Sequence, residues 1–378
     1  MDTEENKEIA HQKELLKKYK QNLQLLELQE AHFGILRTPP HILIEIQDLT
    51  KKIHTCEQRI SELKAEQKQR AEAIQREAKR QSLLQALDHV KLVEDPKISL
   101  MTRLENAQMI GSHDKRIGVC TLPESSDDQY WCEPFLTGRY PVAGGKVVAQ
   151  LYEFRVARYP VTVWQFRQFV SDHGYSNKRW WNKESPQTHE YVEFLPWNIP
   201  GMYADNQPIV SVSWYEATAF CRWLSDRARS LKWLSDDYEI RLPTEAEWTV
   251  AAMWDTKLNQ MSTWCPPVKK YWQNVQEVNI NTPSPVGIFP EGASPCGALD
   301  MAGNVWEWCS SSRNAYPMQA HIIIKNIKPS SRDFVLRGGS WKEAERFSGW
   351  NARSVASLPT TRLNNRGFRI FLCTRSVT

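Results

Sequence analysis

The sequence lacks the features that would place it early in several large classes. No run of eighteen apolar residues occurs among its 378 residues, so no segment reads as a membrane-spanning helix. Its first residues, Met1-Asp2-Thr3-Glu4-Glu5-Asn6, offer neither a basic stretch nor an apolar one, and so no secretory leader is expected. Neither sign of charge dominates. Lys and Arg number 48 against 44 Asp and Glu, a balance of +4 that points to neither nucleic acid nor an acidic membrane as partner. The eight cysteines, at positions 56, 120, 132, 221, 265, 296, 309 and 373, include no C-x-x-C pair. Zinc knuckles and sequence-local redox motifs are thereby excluded, and most of these residues are expected as reduced, buried thiols in a soluble, cytoplasmic protein.

Tryptophan is missing from the first 95 residues, although all sixteen occur between Trp131 and Trp350. Two kinds of structure are implied. In the tryptophan-free part, Leu16, Tyr19, Leu23 and Leu26 step by three and four, the spacing of one helical stripe. Gly34 to Pro40 must break that helix, because proline cannot continue it. The stripe resumes as Ile42, Ile46, Leu49, Ile53, Cys56, Ile60 and Leu63, a coiled-coil seam of about three heptads. Residues 1–85 therefore read as a helical hairpin or an oligomerising coil, either a stalk or an adaptor for a signalling or effector partner. Phe33 to Asp48 resembles a short helical module found beside bacterial conflict-system and signalling domains. Residues 86–115 have weak periodicity and several turn formers, and read as a linker or docking segment. The second domain is expected over 116–378.

Within that domain, Thr244 and Glu247 make a capping box that starts a helix, a second helix is expected over Tyr215 to Arg229, and a third over Val163 to Ser171. Strand-like runs are short: Val147 to Val156, Ile209 to Val212, Val286 to Ile288, Val335 to Arg337 and Gly367 to Leu372. Long irregular stretches separate them, so tryptophan has to supply much of the core, its indole N–H tying down loop carbonyls.

Six motifs occur in order: Tyr159-Pro160-Val161-Thr162, Val212 to Ala217, Arg241 to Trp248, Gly303 to Trp308, Leu336 to Trp341 and Gly367-Phe368-Arg369. Together they resemble the formylglycine-generating-enzyme/sulfatase-modifying-factor domain over about residues 116 to 375. The resemblance implies an α+β fold, an elaborated C-type lectin-like domain here preceded by the helical hairpin. Its chemistry is a separate matter. In formylglycine-generating enzymes two copper-binding cysteines follow the Gly-Gly-Ser motif, and the corresponding positions are Glu343 and Ser348. Soft Cu(I) needs thiolates, and none lies between Cys309 and Cys373. The related iron-dependent sulfoxide synthases use a histidine cluster that the nine histidines here do not form. No catalytic cofactor or catalytic residue is therefore expected. Asn304 and Glu307 match the loop that holds a structural Ca²⁺ in relatives, which makes calcium at these two residues an expectation of the resemblance.

The tail points to binding. Arg337-Gly338-Gly339-Ser340-Trp341, a stretch to Arg366, and Gly367-Phe368-Arg369 resemble the variable region of diversity-generating-retroelement target proteins. Randomised adenines in such systems turn an Asn codon AAC into a limited set of residues, and every residue from Asn351 to Asn365 belongs to it; Lys342, Glu343 and Trp350 do not. With 341–366 as a variable surface, the expected ligand contacts are Glu345, Phe347, Trp350, Asn351, Arg353, Val355, Ser357, Leu363 and Asn364. The partner would be an unidentified protein or other macromolecule, with an oligomer or effector at the coil. The alternative is a metal-dependent oxidase or oxygenase with an unrecognised site.

Overall fold

The computed structural model describes residues 2–33, 38–85, 88–142, 147–181, 204–262, 272–312, 333–354 and 357–375. The chain forms two compact units, Met1–Ser82 and Leu83–Thr378.

The first unit holds two long helices, α1 (Asp2–Phe33) and α2 (Pro40–Gln85), the latter running three residues beyond the boundary. They pair antiparallel: Lys20 Nζ lies 2.7 Å from Glu57 Oε1, and Gln67 Nε2 donates to Asn6 Oδ1 at 3.0 Å. The heptad stripe faces inward, with Ile42, Cys56, Ile60 and Leu63 buried along with Ile9. Leu16, Tyr19, Leu23, Leu26, Ile46, Leu49 and Ile53 are half-buried. Burial of this stripe, rather than the exposed ion pairs, holds the hairpin, since solvated pairs contribute little.

In the second unit, residues 88–115, read from weak periodicity as a linker or docking segment, are helical and packed on the domain. They make two helices, α3 (His89–Glu94) and α4 (Leu100–Ile110), capped by Asp88 and Ser99. Val93, Leu104, Ala107 and Ile110 are buried against Ile288 and Phe289. Arg116, expected near the domain's start, lies inside it: its guanidinium donates to Asp114, to Glu94 at 2.9 Å and to the Val286 carbonyl at 2.8 Å. The periodicity fails to show this because the apolar partners lie far along the chain.

Two small sheets carry the rest. One is antiparallel, ordered β3 (Phe154–Val156), β11 (Phe371–Thr374), β4 (Tyr238–Arg241). The other is ordered β10 (Arg366–Gly367), β7 (Trp306–Ser312), β8 (Phe334–Gly338), β9 (Gly349–Arg353), with β10 parallel to β7 and the other pairs antiparallel. A hairpin of β1 (Gly138–Val142) and β2 (Val147–Leu151) and the short pair β5 (Trp254–Asp255) and β6 (Gln260–Met261) complete the strands described. The apolar runs at Ile209–Val212 and Val286–Ile288 are buried without joining a sheet ladder. Burial alone, which a central strand also needs, makes such runs look like strands.

Helices α5 (Val163–Ser171), α6 (Trp214–Ser230) and α7 (Glu245–Met253) start at Thr162, Ser213 and Thr244, each in a complete capping box. Between helices and sheets lies an aromatic core in which Trp214 stacks on Phe334 with centroids 4.3 Å apart. The indoles anchor irregular backbone as expected: Trp214 Nε1 donates to Cys309 O and Trp308 Nε1 to Val212 O, both at 3.0 Å.

Candidate ligand-binding surface

The four-stranded sheet is fixed by buried charge. Glu307 on β7 accepts from Arg369 Nη2 at 2.8 Å and from Trp248 Nε1 at 2.7 Å, and the ion pair is wholly out of solvent. The same guanidinium donates to the carbonyls of Ala157, Arg158 and Leu299, so one side chain joins four stretches of chain. A second anchor is Glu245, the first residue of α7, which is fully buried and binds Arg353 Nε at 2.7 Å and Arg337 Nη1 at 3.4 Å. A third is Glu216, which caps its own helix through Ser213 and pairs with Arg362 at 2.8 Å. Nearby, burial drives the Glu247 carboxyl up, but Arg241 at 2.7 Å more than offsets it and leaves the group below the usual carboxylate range.

Over this frame lies the stretch after Gly338-Gly339-Ser340. Gly339 has φ +84, and a Cβ there would stand 2.3 Å from Ser348 Oγ, so glycine is what lets the chain double back on itself. Ser340 Oγ bonds Glu343 Oε2 and accepts from Asn365 Nδ2 at 3.1 Å. Ser348 is buried. The two positions of the copper cysteines are thus a carboxylate tied to a hydroxyl and a buried hydroxyl. Neither is a thiolate, and neither fits Cu(I).

The expected contact residues separate by role. Glu345 and Phe347 lie on the 3₁₀ turn Glu345–Phe347, and Phe347 is 58% exposed with Arg346 over its ring. Burial and the neighbouring Glu277 raise the Glu345 carboxyl's pKa. Asn351 projects from β9 and is exposed, while Leu363 is 45% exposed just ahead of β10. Asn364 is half-buried, its carbonyl accepting from Trp341 Nε1 at 3.4 Å. Phe347 thus stands just ahead of β9 and Leu363 just ahead of β10, the two outer strands of the four-stranded sheet.

The remaining contacts are tied to the frame to different degrees. Arg353 is a strut on Glu245. Ser357 is buried, bonded to Phe334 through its backbone and to Arg366 through its hydroxyl. Trp350 is half-buried against the core cluster that holds Trp248 and Phe371, its carbonyl held by Arg337 Nη2 at 2.8 Å. Val355 lies outside the described residues. Sequence reading missed Glu245 and Glu216 as anchors, although both stand in the first turn of a capped helix, where a buried carboxylate has backbone support.

Calcium does not fit at Asn304 and Glu307. The Glu307 carboxylate is already neutralised by Arg369, whose positive charge would face the ion. Asn304 Oδ1 accepts from Ser284 N at 3.0 Å and from Asn274 Nδ2 at 3.3 Å. Nor do three or more His, Cys, Asp or Glu side chains converge in a metal-binding group among the described residues.

Residues 128–373 match the model of the sulfatase-modifying factor enzyme 1-like domain. The chain belongs to that family. Its second unit is accordingly an elaborated lectin-like α+β domain of the formylglycine-generating-enzyme type. Among relatives, a hercynine oxygenase of Mycobacterium tuberculosis is 29% identical over 212 residues, 51% of this chain and 47% of that protein. The inactive C-alpha-formylglycine-generating enzyme 2 of Mus musculus is 28% identical over 257 residues, 57% of this chain and 74% of that one. The chain spans about half the length of the hercynine oxygenases it matches. Among solved structures, Treponema denticola variable protein 1 is similar with a TM-score of 0.44 and 21% identity, covering 65% of this chain and 95% of that chain. Among the described residues no helix is long and apolar enough to cross a membrane.

Proposed function

We propose that this protein is a non-catalytic recognition protein. Its lectin-like domain displays residues 341–366, as a diversified surface of the retroelement-target type, to a protein or other macromolecular ligand. The N-terminal hairpin multimerises it or couples it to an effector. The observation that carries the reading is the state of the two positions that hold copper cysteines in formylglycine-generating enzymes. Glu343 is turned onto Ser340 and Ser348 is buried, while Phe347, Asn351 and Leu363 stand out from a backbone held by three buried carboxylates. Exposed aromatic and aliphatic side chains on a rigid frame suit binding. Leu25, Leu28, Ile44 and Ile74 stay exposed on the paired helices, and this apolar surface supports association through the coil.

The likeness to hercynine oxygenases favours a second reading, a metal-dependent oxidase or oxygenase with an unrecognised site. Metal analysis of the purified chain together with an oxygen electrode separates the two. Stoichiometric copper or iron with thiol-dependent oxygen uptake would remove the recognition reading. A solution mass of 43.9 kDa by light scattering would remove multimerisation through the coil.

A further inference from the structure

A cavity of about 370 Å³ lies on the three-stranded sheet, a size that suits a small ligand. Strand register sets its floor. Leu372 on β11 pairs with Arg155 on β3 and with Ile240 on β4, and Thr374 pairs with Tyr238, so alternation puts Arg155, Leu372 and Tyr238 on one face. Thr374 N donates to Glu153 O at 3.1 Å, which carries the ladder one residue ahead of β3 and adds Glu153 to that face. The segment between α6 and β4 supplies Trp233 and Leu234 to the lining, held by Trp233 N on Ala228 O and Tyr238 N on Ser235 O, both at 3.2 Å. Trp233 and Tyr238 are partly buried and pack on the aromatic core. The charge of this lining is unbalanced. Arg155 Nη2 lies 2.6 Å from Asp127 Oδ1, so those two groups neutralise each other. Glu153 is half-buried and joins no ion pair among the described residues, and Tyr238 Oη stands 3.5 Å from its Oε1, at the outer limit of a hydrogen bond.

We infer that this cavity binds a small primary-ammonium cation, at a site separate from the surface of residues 341–366, with Glu153 as counter-ion and Trp233 and Tyr238 as walls. The ligand class follows from the lining. An ammonium brings the positive charge that Glu153 lacks, together with N–H donors that its carboxylate and Tyr238 Oη accept. Aromatic rings attract a cation through their negative faces, and an alkyl chain can lie on Leu234 and Leu372. An anion would meet the Glu153 carboxylate with no cation between them. A neutral apolar ligand would strip water from that carboxylate and give it nothing in return.

Titration of the full chain with butylamine, followed by ligand-observed NMR, tests this. Butanol is the neutral probe of the same shape, and tetramethylammonium is a cation without N–H groups. Butylamine should bind, and both other probes should bind about tenfold more weakly or worse. Glu153→Gln should weaken butylamine by about tenfold or more. Ser235→Phe, which adds bulk to the lining at an exposed position, should weaken it with the charges intact, while Phe347→Ala should leave it unchanged. No binding of butylamine to the parent chain, equal binding of butanol, or unchanged binding in Glu153→Gln would overturn the proposal. Tetramethylammonium binding as well as butylamine would overturn the primary-ammonium assignment, and loss of binding in Phe347→Ala would overturn the separation of the two sites. Circular dichroism of each variant separates lost binding from failure to fold, and the comparison of the three probes needs no variant.

Discussion

The β7–β8 centre of the four-stranded sheet and the rim at its edges are built on opposite rules. At the centre, Glu307, Arg369, Glu245 and Arg337 are charged and buried, and each is satisfied by a partner distant in sequence. At the rim, Phe347, Asn351 and Leu363 belong to residue types that could pack or bond, yet they stand in solvent. Buried charge is an expensive way to hold a fold, and an equivalent apolar core is often as stable. What it supplies here is fixity: an arginine fork has few satisfactory positions, so the strands it joins have little freedom. A frame of that kind permits changes at its edges.

The largest expected effect comes from breaking the centre. Arg369→Met leaves the Glu307 carboxylate buried with only the Trp248 indole, and should cost about 3–5 kcal/mol in urea unfolding. The double change Glu307→Gln with Arg369→Met removes both charges and should recover part of that loss. If the single and double variants melt alike, the ion pair is not what holds the sheet.

Another buried acid sharpens the contrast, because among the described residues it has no such ion pair. Asp300 accepts from the Gly287 N–H at 2.8 Å, and burial pushes its carboxyl up to about 6. A carboxyl raised in the folded state keeps its proton there while the unfolded chain gives it up. Its contribution to stability is therefore lost as pH rises from about 4 to 6. Asp300→Asn retains an acceptor and tolerates the left-handed backbone, φ +59, so it should stabilise by about 2 kcal/mol at pH 7 and by little at pH 4. Thermal melts at the two pH values check the sign.

Arg353 tests where centre passes into rim. As a contact residue it should matter to a ligand and hardly to stability. As the strut it is, Arg353→Ala should cost about 1–2 kcal/mol, less than Arg369→Met because Arg337 still faces Glu245. A neutral melt would return it to the rim.

The two regions were also unequally legible. Thr244 with Glu247 and the seam from Ile42 to Leu63 announce themselves because their physics is local, a cap or a period. The pairing of Arg369 with Glu307 and the packing of Val93 against Ile288 and Phe289 are not local, and no spacing shows them. For the same reason Ser357, chemically suited to a variable surface, reads as exposed although it is buried under Arg366. Residue type shows what a rim side chain can do, but only the fold shows whether it reaches solvent.

The smallest expected effects belong to the rim itself, and the proposed function depends on their smallness. Phe347→Ala, Asn351→Ala and Leu363→Ala each remove an exposed side chain, and each should shift stability by under about 0.5 kcal/mol. The triple variant should stay within about 1.5 kcal/mol, the sum of three small losses at exposed positions. If the triple variant loses several kcal/mol in urea unfolding, these residues close the domain, and a surface free to vary has to be sought elsewhere on it. If it melts with the parent chain, the backbone is indifferent to what the rim carries, which is the property a diversified binding face requires.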